Sequence, residues 1–292
     1  MLLGVHTYSL HLHGFGPTDI CGTTAPAKPM DIFELIDYAV DIGVDGLHIT
    51  PTDCGSTDAE NLKKVRNAAK EKGLFLEYNF SLADPYNPDL NNTFEEAIGN
   101  AKHLGADVAK VSMDIVRPRP IGASRFHPDV MKQLEAVIQQ LKTAAPLAAK
   151  EDIRIAVENH TDTFSSEVLW VIEQVDHPNV GACIDIFNAM MVLEDPMTAV
   201  ENLVDKAFTN HFKDHKIEFA QYGARLVGVA CGDGDVDLKR AYQLIKERSP
   251  AERVIIEVEY DPGDVGHEES LRLEKEALEK SVRYCRETLG IR

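Results

Sequence analysis

The chain has 292 residues, 44% hydrophobic and 27% charged, the composition of a water-soluble globular protein. A formal net charge of −18 excludes a phosphate-gripping nucleic-acid binder, which needs a basic patch to release counterions. No run approaches the ~18 consecutive apolar residues of a membrane span, and because the first residues lead straight into strand-like LLGVHTYSL no signal peptide is expected.

Hydrophobic runs alternate with helix-period segments along the whole chain. LLGVHTY (2–8) reads as a first strand and 30–43 as a helix. VDGLHIT (44–50) follows, then a helix from about Thr57, GLFLEYNF (73–80), and a helix over 92–105. VAKVSMD (108–114) is the fourth strand, and a long helix runs from Pro128 to Lys150. Strands five to eight fall in IAVENH (155–160), GACIDIFNAM (181–190), NHFKDH (210–215) and VIIEVEY (254–260), with helices over 165–175, 196–206, 238–248 and 267–288. Eight such units without a linker predict one domain over 1–292, a single α/β (β/α)8 TIM barrel. A doubly wound sheet would carry a Gly-rich phosphate fingerprint after an early strand, and there is none. Two long segments, 11–29 and 216–237, fall after strands one and seven and are expected to be irregular loops walling the active face.

Strands five to eight end in polar groups: Glu158, Asp185, His211 and Glu257. A carboxylate emerging from an apolar strand is destabilising unless paired, hydrogen-bonded or metal-bound. Each residue alone reads equally well as a rim ion pair or a satisfied core histidine, whereas four in succession point to a cation site. Three carboxylates with one imidazole suit Mn²⁺, or else Mg²⁺ or Co²⁺, one per chain, better than structural zinc.

Around this set lie further candidates. Glu259 shares a strand face with Glu257, as His160 does with Glu158 and Lys213 with His211. His215 follows two residues later, His6 on strand one faces the barrel mouth or the core, and Arg225 in the second long segment has a fork suited to a carboxylate or phosphate. Met190 and Met191 are expected to pack under the next helix, and GDGD (232–235) to form a turn, since it lacks the other ligands of a calcium loop. Cys21, Cys54, Cys183, Cys231 and Cys285 have no paired spacing and fit reduced thiols in the cytoplasm.

At these strand ends the chain resembles the xylose-isomerase-like barrels of the sugar isomerase/epimerase superfamily. That resemblance implies Glu158, Asp185, His211 and Glu257 around Mn²⁺ or a similar ion, with Glu158 and Glu257 also exchanging protons with a metal-stabilised enediolate. The ketose 3-epimerases of that superfamily carry Asp-x-x-His on strand six, where DIFN here puts Asn188, and the segment from His211 to Arg225 is longer than theirs. The run ENHTDTFSSEVLWVIEQVDHPNVGACIDIFNAMMVLEDP, with NHFKDHK and GVACGDGDVDLKRAY, is more similar to the 3-oxo-isoapionate decarboxylase branch, which acts on oxidised sugar acids. The expectation is therefore a metal-dependent lyase that decarboxylates a 3-keto sugar acid. In it Glu158, Glu257, His160 and Lys213 are catalytic, and His6, Asn188, His215, Arg225 and Glu259 contact substrate. Alternatives are a ketose 3-epimerase or isomerase, a C-glycoside-cleaving lyase subunit, and a non-catalytic sugar-binding barrel. The expected partner is a small carbohydrate or sugar acid, with neither nucleic acid nor membrane; homo-oligomers are compatible with all of these readings.

Overall fold

The computed structural model describes residues 1–16 and 30–292. Eight parallel strands form the barrel wall: β1 (Leu2–His6), β2 (Gly46–Ile49), β3 (Phe75–Ser81), β4 (Val108–Ser112), β5 (Arg154–Glu158), β6 (Val180–Asp185), β7 (Ala207–His211) and β10 (Arg253–Ile256). They are hydrogen-bonded in the order β10-β1-β2-β3-β4-β5-β6-β7. The ring closes just past β7, where the Phe212 N–H donates to Ile255 O at 2.7 Å and the Glu257 N–H to Phe212 O at 3.1 Å. That closure sets His211 and Glu257 on adjoining strand ends.

The helices α1 (Ile32–Asp41), α2 (Ala59–Glu71), α3 (Phe94–Leu104), α4 (Pro128–Lys150), α5 (Ser165–Val175), α6 (Pro196–Leu203), α7 (Leu238–Arg248) and α8 (His267–Arg283) alternate with the strands. Side-chain caps start several of them: Asp31 with Glu34, and Thr93 with Glu96, form reciprocal capping boxes that satisfy the first free N–H groups. Their apolar faces and the outward strand faces build one continuous core, from Leu3 and Val5 through Val157 and Ile184 to Val254 and Ile256.

The segment after β7 differs from expectation. Residues 216–237 are not an irregular loop, because most of them belong to a two-stranded antiparallel hairpin, β8 (Asp214–Ala220) with β9 (Gly223–Val229). Beyond Lys216 this hairpin is largely exposed on both faces, which hides the period-two alternation that betrays a half-buried strand. A Cβ at Gly228 would lie 1.6 Å from Glu259 O, so glycine there lets β9 rest directly on the backbone that carries Glu259. GDGD is a turn as expected, and the amides of Gly232 and Gly234 in it bond Asp214 Oδ2. Met191 is half exposed and does not pack beneath a helix. The other long segment begins as a 3₁₀ helix, Thr7–His13; its stretch 17–29, with Cys21, lies outside the described residues. Cys183, Cys231 and Cys285 are unbridged and buried, and Cys54 is buried. Among the described residues no helix is long and apolar enough to cross a membrane.

Candidate metal centre

The inward face of the barrel is polar. Glu158, Asp185, His211 and Glu257 meet at the C-terminal end of the strands, all nearly or fully buried. His211 Nδ1 is the hub, 2.9 Å from Glu158 Oε1, 3.2 Å from Glu257 Oε2 and 3.5 Å from Asp185 Oδ2. Local hydrogen bonds aim these groups. Asn159 zips β5 to β6 by accepting from the Asp185 N–H and donating to Asp185 O, both at 2.8 Å. Asp185 Oδ1 takes the amides of Phe187 and Asn188, which leaves Oδ2 facing the hub.

Two buried lysines complete the cluster. Lys213 Nζ lies 2.9 Å from Asp185 Oδ2, 2.8 Å from Glu257 Oε2 and 2.6 Å from Glu259 Oε1. Lys110 on β4 is ion-paired with Glu158 Oε2 and donates to Ser112 Oγ at 2.8 Å. Burial alone would raise the carboxylates, but Lys110 and His211 hold Glu158 well below the usual range, and Lys213 and His211 do the same to Glu257. Glu259 is pulled down to about 2 against burial, chiefly by Lys213 and its bond to His215. Burial would lower His211; the surrounding anionic groups raise it well above an ordinary imidazole.

The donors fit a divalent cation on two counts. Asp185 Oδ2, His211 Nδ1 and Glu257 Oε2 are buried and converge, and their partners are one another and the Lys213 ammonium, with no well-directed hydrogen bond to fix them. With His211 neutral, as a metal ligand must be, four carboxylates (Glu158, Asp185, Glu257, Glu259) face two ammonium groups, which leaves an excess equal to the charge of one divalent ion. Carboxylate oxygens with one imidazole nitrogen suit Mn²⁺, Mg²⁺ or Co²⁺.

The other candidates fall in three places. Asn188, His215 and Glu259 join the cluster through Lys213: Asn188 Oδ1 is 3.5 Å from Nζ, and His215 Nε2 is 3.1 Å from Glu259 Oε2 while its ring stacks on Phe187 at 3.7 Å. His6 lies beneath, its ring 4.9 Å from those of both His48 and His211, with Nδ1 accepting the Tyr8 N–H and Nε2 against the Asn79 amide. His160 stands at the rim, a third exposed, 3.6 Å from Asp162; burial would lower it, yet Glu158 and Asp162 push it up to about 9. Arg225 is not brought to the cluster: on β9 it is mostly exposed and pairs with Asp261 at 2.5 Å.

Sequence reasoning passed over Lys110, His48 and Glu77, which sit on β4, β2 and β3 and are 3% exposed or less. Each interrupts an apolar run (VAKVS, GLHI, LFLEY), the same signal that marked Glu158.

Residues 36–287 match the family model of the xylose isomerase-like TIM barrel. A curated relative, 3-oxo-isoapionate decarboxylase of Pectobacterium atrosepticum, is 27% identical over 150 residues, 49% of this chain and 53% of that protein, so the match spans about half of each. The fold is shared with D-psicose 3-epimerase of Clostridium cellulolyticum H10, at TM-score 0.67 and 14% identity over 99% of both chains. It is also shared with a xylose isomerase-like TIM barrel protein of Mycobacterium smegmatis in complex with magnesium, at TM-score 0.63 and 16% identity over 96% of both. The match over most of its length, on an eight-stranded parallel barrel, places this chain in the xylose isomerase-like TIM barrel family.

Proposed function

We propose that this chain is a divalent-metal-dependent lyase that decarboxylates a small 3-keto sugar acid of the 3-oxo-isoapionate type. Glu158, Asp185, His211 and Glu257 hold the ion, Mn²⁺ or else Mg²⁺ or Co²⁺. Once bound, it supplies Lewis-acid polarisation of the substrate carbonyl and stabilises negative charge developing on the substrate oxygens. The observation that carries this reading is the pair of buried lysines, each closed on one of the two glutamates.

A two-base epimerase needs carboxylates that readily take a proton on either face of one carbon. Here Lys110 and Lys213 hold both Glu158 and Glu257 well below the ordinary carboxylate range, which makes them weak bases. Loss of CO₂ asks instead for a cation near the substrate carboxylate and an acid for the product carbon. Lys213 at the mouth, held by Glu259 and beside Asn188, orients the carboxylate as a point charge. The C–C bond breaks, CO₂ departs, and its electron pair enters the enediolate. His160, protonated at neutral pH, then returns a proton to carbon. His6 and His215 line the walls.

A second reading, ketose 3-epimerisation, is favoured by the way Glu158 and Glu257 flank His211 at 2.9 and 3.2 Å. Carbon and proton NMR in D₂O with Mg²⁺-loaded protein separates the two over a panel of ketoses and 3-keto sugar acids. Loss of the carboxyl carbon with deuterium entering the product is expected. Deuterium exchange on an intact carbon skeleton would replace the lyase by the epimerase, and silence over the whole panel would refute the substrate class.

A further inference from the structure

We infer that Glu77 and His48 fix the proton position on His211 and thereby set the barrel's affinity for its divalent cation, an inference that rests on the metal reading above. Two rings near the barrel axis end in buried nitrogens that make no hydrogen bond, Nε2 of His48 and Nε2 of His211. The rings come from β2 and β7, with centroids 5.0 Å apart and planes at 76°. Each nitrogen is what the other lacks, as follows from the opposite edge of each ring.

His48 Nδ1 lies 3.0 Å from Glu77 Oε2. Glu77 is fully buried, with Arg253 3.1 Å from Oε1 and the Thr209 hydroxyl donating to Oε2 at 2.7 Å. A carboxylate held by such donors can only accept, so His48 carries its proton on Nδ1 and presents a bare lone pair at Nε2. His211 has the reverse polarity. Its Nδ1 faces the carboxylate hub, and when that nitrogen ligates a cation the ring is neutral and keeps its one proton on Nε2. The His211 donor and the His48 acceptor thus form a matched pair on rings whose centroids lie 5.0 Å apart. The other neighbours do not compete: both His6 nitrogens are engaged by Tyr8 and Asn79, and the Cys183 thiol against His211 is a weak sulfur acceptor. Glu77 and His48 are positioning residues, because they reach the cation only through His211.

Glu77→Gln reverses the polarity of this column. Arg253 requires an acceptor, so the amide oxygen takes the Oε1 place and the amide nitrogen faces His48 Nδ1. His48 must then accept there and move its proton to Nε2, where it meets the His211 N–H head-on. Metal ligands that lose such an outer partner typically bind 10–100-fold more weakly. His48→Gln keeps the polarity, with its nitrogen toward Glu77 and its oxygen toward His211.

The test is a competitive titration of the full chain with Co²⁺ against a chelator, read by the visible d–d spectrum. Glu77→Gln is expected to weaken binding at least tenfold with an altered spectrum, and His48→Gln to stay within threefold of wild type. Wild-type affinity and spectrum in a folded Glu77→Gln variant would overturn the relay while leaving the metal site standing. Failure of the wild type itself to take up Co²⁺ would overturn both. Should Glu77→Gln not fold, ¹⁵N NMR of the histidines in Mg²⁺-loaded wild type decides alone. His48 protonated on Nδ1 and His211 on Nε2 is the expected pattern, and His48 protonated on Nε2 would overturn it.

Discussion

Lys213→Met separates the charge balance of the cluster from its chemistry. Lys213 is 1% exposed and its ammonium touches Asp185, Glu257 and Glu259 within 2.9 Å. Removing it leaves three carboxylates crowded without their counter-ion, and deleting one partner of a buried pair destabilises by about 3–5 kcal/mol. At roughly 2.1 cal/mol/K per residue, the 292-residue chain unfolds with an entropy of about 0.6 kcal/mol/K, so the melting temperature of metal-free protein should fall about 5–8 °C. A divalent ion then fills the role the ammonium vacated. Its affinity should rise about tenfold, which adds about 1.4 kcal/mol of ligand-linked stabilisation at saturation. Turnover should nevertheless collapse, because the proposed mechanism needs the Lys213 ammonium to orient the substrate carboxylate. Differential scanning calorimetry of chelator-treated and Mn²⁺-loaded protein reads both effects. An unchanged melting temperature without metal, or weaker Mn²⁺ binding in the variant, would refute this account of Lys213.

Three further outcomes are expected. Glu158→Gln and Glu257→Gln should each lose at least about 100-fold in turnover with the fold retained by circular dichroism, in line with the loss of a general acid–base or ligand group; wild-type turnover in both would refute a role for these glutamates in the chemistry. Gly228→Ala should move the hairpin off Glu259, where its Cβ would meet the carbonyl oxygen at 1.6 Å, and raise KM more than it lowers kcat. Asp114 is raised from 3.8 to about 6, mainly by burial, so the folded state binds its proton more tightly than the unfolded state. Its contribution to stability is therefore full at low pH and is lost as pH rises from about 4 to about 6. The stability of Asp114→Asn relative to wild type should accordingly climb across that window and level off above it, as urea unfolding at a series of pH values will show.

Much of the barrel is visible in the sequence because parallel strands buried on both faces read as short β-branched runs, and the boundaries of α4, α5 and α7 coincide with their apolar periodicity, helped by side-chain caps at α4 and α7. Glu158, Asp185, His211 and Glu257 stand out for the same reason, as charged groups ending apolar strands. Lys110, His48 and Glu77 emit that signal too, but from mid-strand, where a single polar residue in an apolar run also fits a turn in register or a lone core contact. Their meaning depends on which strands the ring makes neighbours: Glu77 reaches Arg253 across 176 residues of chain, and no local spacing encodes that. The hairpin was illegible because HKIEFA and GARLVGV expose both faces, and Arg225 could be placed only once that hairpin had turned it toward Asp261.

The most direct test of the central claim is equilibrium dialysis of the purified chain against Mn²⁺, with the bound ion counted by metal analysis and its surroundings read by electron paramagnetic resonance. One ion per chain is predicted, lost in Asp185→Asn and His211→Leu while the fold persists. A wild type that binds no Mn²⁺, Mg²⁺ or Co²⁺, or variants that bind as the wild type does, would contradict the metal centre and the chemistry built on it.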